Sequence, residues 1–103
     1  MKTIQSKVSV LMPVYNCQEF LKRAIESILN QTFDNFEYII INDGSTDNSL
    51  SIIKSYKDKR IKLINNSKNI GISGSLNRGL DFATGEYIAR QDADDISDAD
   101  RFK

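Results

Sequence analysis

The sequence predicts an α/β domain in which four strands form a mainly parallel sheet of order 3-2-1-4, with helices on both faces. Short apolar runs rich in β-branched residues alternate with segments whose apolar residues recur at helical spacing. The connections are short, so successive strands are expected to run parallel and to be joined through helices. Right-handed crossovers leave few topologies, and 3-2-1-4 is the natural one. The length of 103 residues suits a single domain spanning residues 1–103.

The first half of the chain predicts two strands and one helix. Val8–Val14 is a short apolar run, which indicates a buried strand. Asn16 and Glu19 have the spacing of a capping box, so an amphipathic helix is expected to begin there and to end near Gln31. Phe36–Ile41 is nearly continuous in apolar residues and predicts the second strand.

The second half predicts two more helices and two more strands. Ser45 or Thr46 is expected to cap the second helix. Ile61–Ile64 alternates in polarity, which indicates a strand nearer an edge, and Glu86–Arg90 is the fourth strand. Gly85 is expected to end the third helix. The apolar residues expected on one face of that helix are Ile72, Leu76, Leu80 and Ala83.

Composition excludes several classes of function. The chain has 14 basic and 14 acidic residues, and this zero net charge argues against nucleic acid as a partner. It has no His and one cysteine, Cys17, so neither a disulfide within the chain nor a zinc site of Cys and His is expected. We interpret Cys17 as a small, partly buried residue. Met1–Lys7 is polar and no apolar run approaches ~20 residues, which predicts a soluble, cytoplasmic chain.

Polar clusters follow three of the predicted strands. The first strand is followed by Tyr15 and Asn16, the second by Asn42–Ser45, and the fourth by Asp92–Asp95. In an open parallel sheet, ligands bind beyond the carboxyl ends of the strands, near the point where strand order reverses. With order 3-2-1-4 that point lies between the first and fourth strands. The three clusters are therefore expected to line one rim of the sheet.

The acidic cluster has two interpretations that the residues alone leave open. Asp92, Asp94 and Asp95 repel one another unless a cation or solvent relieves the charge. Mg²⁺ or Mn²⁺ prefers such oxygen ligands, and Mg²⁺ binds through one or two carboxylates plus substrate phosphates. A solvated turn that caps a following helix explains the cluster equally well. An EF-hand loop does not, because Ile96 and Lys103 occupy positions that require an oxygen ligand and Glu.

Other polar segments are candidates for ligand contacts. Asn42–Asp47 is most simply a turn and helix cap; the alternative is that Asp43 accepts a hydrogen bond from a ligand N–H. Asn69–Gly74 opens the third helix, where backbone N–H groups either bind phosphate or cap the helix. Arg78 and Arg90 are candidate phosphate ligands. The absence of Gly-Lys-Ser/Thr and of Gly-x-Gly-x-x-Gly argues against a P-loop and a dinucleotide site.

The motifs taken in order resemble the N-terminal part of family 2 glycosyltransferases, which have the Rossmann-like GT-A fold. The resemblance runs from about Val8 to the end of the chain, and it is specific because the motifs occur in order at family-like spacing. The matching segments are Val8–Asn16, Asn42–Asp47, Asn69–Gly71, Asn77–Gly79, Gly85–Ile88 and Asp92–Asp95.

The resemblance implies a role for each matching residue. Pro13 and Tyr15 would shape the pocket for the nucleotide base, and Asp43 would hydrogen-bond that base, usually uracil. Asp92 and Asp94 would form the DXD motif, with Asp92 at the ribose or a metal-bound water. Asp94 would then ligate Mg²⁺ or Mn²⁺ on the donor diphosphate. The implied activity is inverting transfer of a sugar from a nucleotide-sugar, most often a UDP-sugar.

Two departures from the family pattern bear on this expectation. Asn42 stands where the family usually has Asp, which removes one contact. Family enzymes place their catalytic base well downstream of the DXD motif, and Asp95, Asp98 and Asp100 do not match it. The chain is therefore expected to be a truncated GT-A domain that binds donor and metal without completing transfer. Arg78 stands where the family has a basic residue near the site.

The remaining expectations concern partners. A glycan, a polysaccharide or a lipid-linked molecule would be the acceptor of the longer enzyme, which is expected in the cytoplasm or at the inner face of the membrane. An exposed helix face could also support a homodimer. Two other classes of function are alternatives. One is a receiver-like signalling module, which needs acidic residues after the first strand. The other is a non-catalytic module that binds nucleotide or only associates with itself.

Overall fold

The computed structural model describes residues 7–93 of the 103-residue chain. Asp94 and Asp95, and with them the metal-ligand prediction for Asp94, lie outside the described residues. The elements alternate along the chain as predicted: β1 (Val8–Val14), α1 (Leu21–Leu29), β2 (Phe36–Asp43), α2 (Ser49–Lys54), β3 (Ile61–Asn66), α3 (Ile72–Phe82) and β4 (Tyr87–Arg90).

The four strands form one parallel sheet of order β3-β2-β1-β4, which confirms the predicted topology. Val10 of β1 lies between Tyr38 of β2 and Ala89 of β4. The reversal of strand order therefore falls between β1 and β4. The alternating strand β3 lies at an edge, also as predicted.

Helices cover both faces of the sheet, as the sequence predicted. On one face, α1 and α2 pack on the larger core, which includes Met12, Ile25 and Ile53. On the other face α3 covers a smaller core that includes Leu11 and Ile41. The side chains of β2 are buried along its whole length, because it is a central strand covered on both sides.

The apolar face predicted for α3 packs on the sheet only in part: Ala83 is buried and Leu76 packs against the smaller core. Ile72 and Leu80 are 58% and 44% exposed, while Ser75 and Gly79 are buried. A Cβ at Gly79 would lie 3.0 Å from side-chain carbons of both Ile41 and Leu11. Small residues on this stripe therefore let the helix approach the sheet closely, and the larger apolar residues flank the contact.

Three local predictions at helix ends were also wrong. Asn16 does not cap α1, which begins at Leu21 without a side-chain cap, because its carboxamide binds the loop after β2 instead. Asp47, rather than Ser45 or Thr46, accepts the N–H of Ser49 at the start of α2. Gly85 does not end α3; a Cβ there would lie 2.6 Å from the backbone nitrogen of Ser9. Gly85 is thus required by close chain approach.

Strands β2 and β3 extend farther than the sequence predicted, and polar pairs join the added residues. Asn42 donates to Asn65 across the strands at 2.9 Å. Asn66 donates to Asp43, also at 2.9 Å. Cross-strand pairs of this kind stabilise neighbouring strands. Asp43 therefore lies at the end of a buried strand and not in a turn, so its position is fixed by the sheet.

None of the helices within residues 7–93 has the length and apolar character needed to cross a membrane.

Candidate nucleotide-binding site

A cavity of about 440 Å³ opens at the carboxyl ends of β1, β2 and β4, where strand order reverses. This volume lies within the range of small-ligand pockets. Its walls come from the ends of three strands, the start of α3 and the segment after β4. The lining residues are Pro13, Val14, Tyr15, Cys17, Asp43, Asn69, Gly71, Ile72, Arg90, Asp92 and Ala93.

Four of the residues predicted to contact the nucleotide line this cavity: Pro13, Tyr15, Asp43 and Asp92. Tyr15 is 48% exposed, so its ring is accessible to a ligand. The predicted meeting of three polar strand ends on one rim is therefore what the fold produces. Arg90, named from sequence as a candidate phosphate ligand, lines the cavity as well.

Arg78 lies elsewhere. It lines a different cavity, beside β3 and α3, which it shares with Lys62, Asn65 and Phe82. Its guanidinium donates a short hydrogen bond to Oδ1 of Asn66. Arg78 reaches Asp43 only through that amide, so the arrangement does not favour direct contact between Arg78 and a ligand in the first cavity.

The Asp43 carboxylate joins β2 to β3 and to the start of α3. Oδ1 accepts the Ile70 N–H at 2.8 Å and the Asn66 amide at 2.9 Å. Oδ2 accepts the Gly71 N–H at 2.9 Å. Gly71 has φ of 92°, a conformation that glycine adopts readily, and α3 begins at the next residue. The Ser75 hydroxyl is a fourth hydrogen-bond partner of the carboxylate. Each carboxylate oxygen has two lone pairs, and Oδ2 accepts one backbone N–H, that of Gly71.

These contacts decide the charge of Asp43. The side chain is 3% exposed, and burial alone would raise its pKa. Hydrogen bonds from Ile70, Asn66, Gly71 and Ser75 outweigh burial and lower the pKa of Asp43 below its usual value. At neutral pH the group is therefore an anion that only accepts hydrogen bonds.

Asp92 approaches the cavity from the opposite side. The chain continues beside β1 past the end of β4, because the Gln91 N–H donates to the Leu11 carbonyl at 3.0 Å. The Asp92 carboxylate then pairs with Arg90 at 3.2 Å, and both side chains are about half exposed. Asp92 therefore presents an accessible carboxylate at the cavity mouth, next to a guanidinium.

The residues at this mouth fit a hard divalent cation in part. Asp92 offers oxygen ligands of the kind that Mg²⁺ and Mn²⁺ prefer. Within residues 7–93 no three His, Cys, Asp or Glu side chains come together to enclose a metal ion. The fit is thus that of a cation held by one or two carboxylates and completed by a ligand's phosphates.

The loops after β1 and β2 are tied to each other above the sheet. Asn16 has φ of 51°, and its Oδ1 accepts the N–H groups of Thr46 at 2.8 Å and Asp47 at 3.3 Å. In return, the Gln18 N–H donates to Asp47 at 3.2 Å, and the Asn48 N–H donates to Gln18 at 3.1 Å. These reciprocal bonds fix the loop that carries Tyr15 along one wall of the cavity.

Two side-chain contacts of Asp43 were not predicted. Asn69 donates to the Asp43 carbonyl at 3.3 Å, and Asn66, which lies outside the cavity lining, donates to the carboxylate. The available signal was an Asn-rich segment between a strand and a helix, where amide side chains commonly bind backbone. Ile72 lines the cavity as well.

Comparisons with known proteins assign the family. Residues 9–103 match the sequence model of Glycosyl transferase family 2. EpsE of Bacillus subtilis is 52% identical over 94 residues, which cover 88% of this chain and 34% of that protein. The UDP-Glc:alpha-D-GlcNAc-diphosphoundecaprenol beta-1,3-glucosyltransferase WfgD of Escherichia coli is 39% identical over 89 residues, which cover 86% of this chain and 35% of WfgD.

Solved structures of glycosyltransferases share the fold of this chain. S. aureus TarS in complex with UDP-GlcNAc superposes with a TM-score of 0.85 and 31% sequence identity, covering 90% of this chain and 28% of TarS. The fold is that of GT-A glycosyltransferases. The chain spans about a third of the length of these relatives. It belongs to glycosyl transferase family 2.

Proposed function

We propose that this chain is the donor-binding part of a glycosyltransferase and that its cavity binds the nucleoside diphosphate of a nucleotide-sugar. The observation that carries the proposal is the position of Asp43 and Asp92, whose carboxylates line one cavity at the reversal point of a parallel sheet. One carboxylate is buried and fixed, as suits a base contact. The other is exposed at the mouth, as suits a phosphate-bound cation.

Asp43 would select the base. An ionised carboxylate accepts hydrogen bonds and rejects ligand atoms that are themselves acceptors. Uracil offers an N–H between its two carbonyls, which suits a carboxylate oxygen of Asp43 as acceptor. Two relatives support a UDP-sugar: WfgD is named for UDP-Glc, and TarS has been solved with UDP-GlcNAc. We therefore propose a UDP-sugar as donor.

Pro13 and Tyr15 would form the wall against which the base packs. Tyr15 lines the cavity and is half exposed, and aromatic rings stack on nucleobases with about 1–3 kcal/mol per base. The hydrogen bonds between Asn16 and the loop after β2 hold this wall in place. A fixed wall limits the conformational entropy that binding would otherwise cost.

Asp92, together with Asp94, would hold Mg²⁺ or Mn²⁺. When bound, the cation would stabilise the charge that develops on the leaving diphosphate. Arg90 lies beside Asp92 and would bind a phosphate oxygen once the cation takes over the carboxylate. The chain's own contribution is to bind the donor and to orient its diphosphate at the end of β4.

The acceptor and the assembly are proposals for the longer protein. WfgD is named for transfer to a diphosphoundecaprenol-linked sugar. A glycan, polysaccharide or lipid-linked acceptor is therefore proposed, with the enzyme in the cytoplasm or at the inner face of the membrane. Tyr87 and Ile88 are 61% and 49% exposed on β4, and a homodimer through this edge is the corresponding proposal for self-association.

Calorimetric titration with UDP, with and without Mn²⁺, tests the proposal. We expect Mn²⁺ to tighten UDP binding at least about tenfold, because the cation bridges carboxylate and diphosphate. Asp92→Ala and Asp94→Ala should each remove most of that gain. Asp81→Ala is the matched control, since Asp81 lies on α3 outside the cavity lining and should leave the gain intact.

Two results would count against it. Equal UDP affinity with and without Mn²⁺, or Asp94→Ala behaving as the parent chain, would remove the metal role while leaving base binding in place. Failure of the parent chain to bind UDP, UMP or another nucleoside diphosphate would overturn the donor-binding function itself.

A further inference from the structure

Asn66 is nearly as buried as Asp43, whose carboxylate it contacts. It is the last residue of β3, pairs with Asp43 in the sheet, and is 4% exposed. Its Nδ2 donates to Asp43 Oδ1 at 2.9 Å and to Ser75 Oγ at 3.1 Å. Its Oδ1 accepts from the Arg78 guanidinium. All the polar atoms of this buried amide are therefore engaged.

The chemistry of the three partners fixes which way the Asn66 amide points. Arg78 has only donors, so it must face the amide oxygen, and ionised Asp43 has only acceptors, so it must face the amide nitrogen. Turning the amide over would set oxygen against carboxylate and nitrogen against guanidinium. Arg78 therefore reinforces the orientation in which Asn66 presents a donor to Asp43.

The direction of the Asp43 carboxylate depends on that donor. Asn66 and the Ile70 N–H both hold Oδ1, and the Gly71 N–H holds Oδ2 from the start of α3. The rotation of the carboxylate is then set from β3 on one side and from α3 on the other. The second lone pair of Oδ2 keeps one direction relative to the cavity.

We infer that Asn66 and Arg78 are positioning residues for nucleotide binding: Arg78 orients the Asn66 amide, and Asn66 orients the Asp43 carboxylate toward the N–H of the base. The inference rests on the proposed function, since it concerns the same cavity. It gives Arg78 a role at the site through another residue, in place of direct phosphate contact.

Asn66→Asp is the decisive variant because it changes charge without changing size. A carboxylate at this position would face Asp43 and repel it. We expect the dissociation constants of uridine and of UDP to rise by the same factor, about tenfold, because the defect concerns the base contact. A general repulsion between added negative charge and phosphates would weaken UDP and leave uridine unchanged.

Asn65→Asp is the matched control. Asn65 precedes Asn66 on β3, and its Oδ1 already accepts from Asn42, so a carboxylate there keeps that bond. It adds the same charge to the same strand without facing Asp43. We expect less than a twofold change in the dissociation constant of either ligand.

Arg78→Leu tests the outer step and remains informative if Asn66→Asp does not fold, since Arg78 lies on the exposed side of α3. We expect uridine and UDP to bind about twofold to threefold more weakly, with a shifted ¹³C signal of the Asp43 carboxyl. Arg23→Leu, on exposed α1 surface, should change neither quantity. In an Asn66→Ala background, Arg78→Leu should add nothing, because its effect passes through the amide.

The outcomes separate this inference from the proposed function. UDP binding by the parent chain, with unchanged uridine affinity in Asn66→Asp or with an unchanged Asp43 carboxyl signal and unchanged affinity in Arg78→Leu, overturns the positioning role alone. Failure of the parent chain to bind either ligand overturns the proposed function and this inference with it.

Discussion

Glu37 and Asp43 are two carboxylates at opposite ends of the same strand, β2, and on the same face of the sheet, beneath α3. Both are buried, at 2% and 3% exposure. Each binds one end of α3: Asp43 accepts N–H groups just before the helix, and Glu37 accepts the Thr84 N–H just after it. The two carboxylates are therefore alike in burial and differ in their hydrogen-bond partners.

Glu37 is held by side chains and backbone groups of the fold, including one cation. Lys62 pairs with Oε1 at 2.6 Å, while Ser9 and Thr84 donate to Oε2. The carboxyl end of a helix is weakly negative, so a carboxylate next to it gains from a cation such as Lys62. Burial raises the pKa of Glu37, but these hydrogen bonds prevail and lower it to about 2.

Asp43 meets the positive end of the same helix and is held by backbone N–H groups and an amide, with no cation in direct contact among the bonds described. It lines the cavity, whereas Glu37 lies at the other end of the sheet. Two equally buried, ionised carboxylates therefore differ in their surroundings: Glu37 pairs with a cation of the fold, and Asp43 lines the cavity where a ligand would bind.

The largest expected effect is on stability, from Glu37→Gln. A pKa lowered from 4.5 to about 2 corresponds to about 3 kcal/mol of folding free energy at neutral pH. We expect urea denaturation to show a loss of that order with little change in UDP affinity. Glu86→Gln is the control: Glu86 pairs with Lys7 at the surface, where such pairs contribute about 0–1 kcal/mol. Equal losses in the two variants would contradict the assignment.

Acid should remove the same stabilisation in the parent chain. The folded pKa of Glu37 is below the unfolded value of 4.5, so its contribution is full above that pH and is lost as the pH falls toward about 2. The difference in unfolding free energy between the parent chain and Glu37→Gln should shrink across this interval. A pH-independent difference, measured by urea denaturation at each pH, would refute the linkage.

Compared with Glu37→Gln, Asp43→Asn should reduce UDP affinity more and stability less. The new amide cannot accept both the Ile70 and Gly71 N–H groups, which costs about 1–2 kcal/mol. UDP affinity should fall about tenfold or more, because a hydrogen bond to a charged group contributes about 1.5–3 kcal/mol. Calorimetry measures the UDP affinity, and urea denaturation measures the loss of stability. Unchanged UDP affinity would place Asp43 in the same structural class as Glu37.

The order of the elements followed from local sequence. Apolar runs such as Phe36–Ile41 and helical repeats such as the one through Ala24 and Ile28 specify strands and helices by their period alone. The parallel arrangement and its 3-2-1-4 order follow from alternation and the hand of crossovers. The same reasoning brought Tyr15, Asp43 and Asp92 to one rim, because carboxyl ends of parallel strands share an edge.

Tertiary structure decided which contacts a side chain makes where the sequence allows more than one. Asn16 could have capped its own helix, yet it binds the neighbouring loop. Ile72 and Leu80 could have faced the core, yet Ser75 and Gly79 lie against the sheet in their place. The apolar pattern of the third strand ends at Ile64, yet pairing with Asp43 includes Asn66 in β3.

By itself the sequence determined which elements form, their order and the edge at which ligands would bind, because those depend on periodicity and chain connection. Tertiary structure alone decided that Glu37 pairs with Lys62 while Asp43 lines the cavity, and that Arg78 contacts Asn66. A side chain's hydrogen-bond partners come from distant segments: Thr84 for Glu37, Ile70 and Gly71 for Asp43. A local sequence pattern therefore does not predict which donors bind a buried carboxylate.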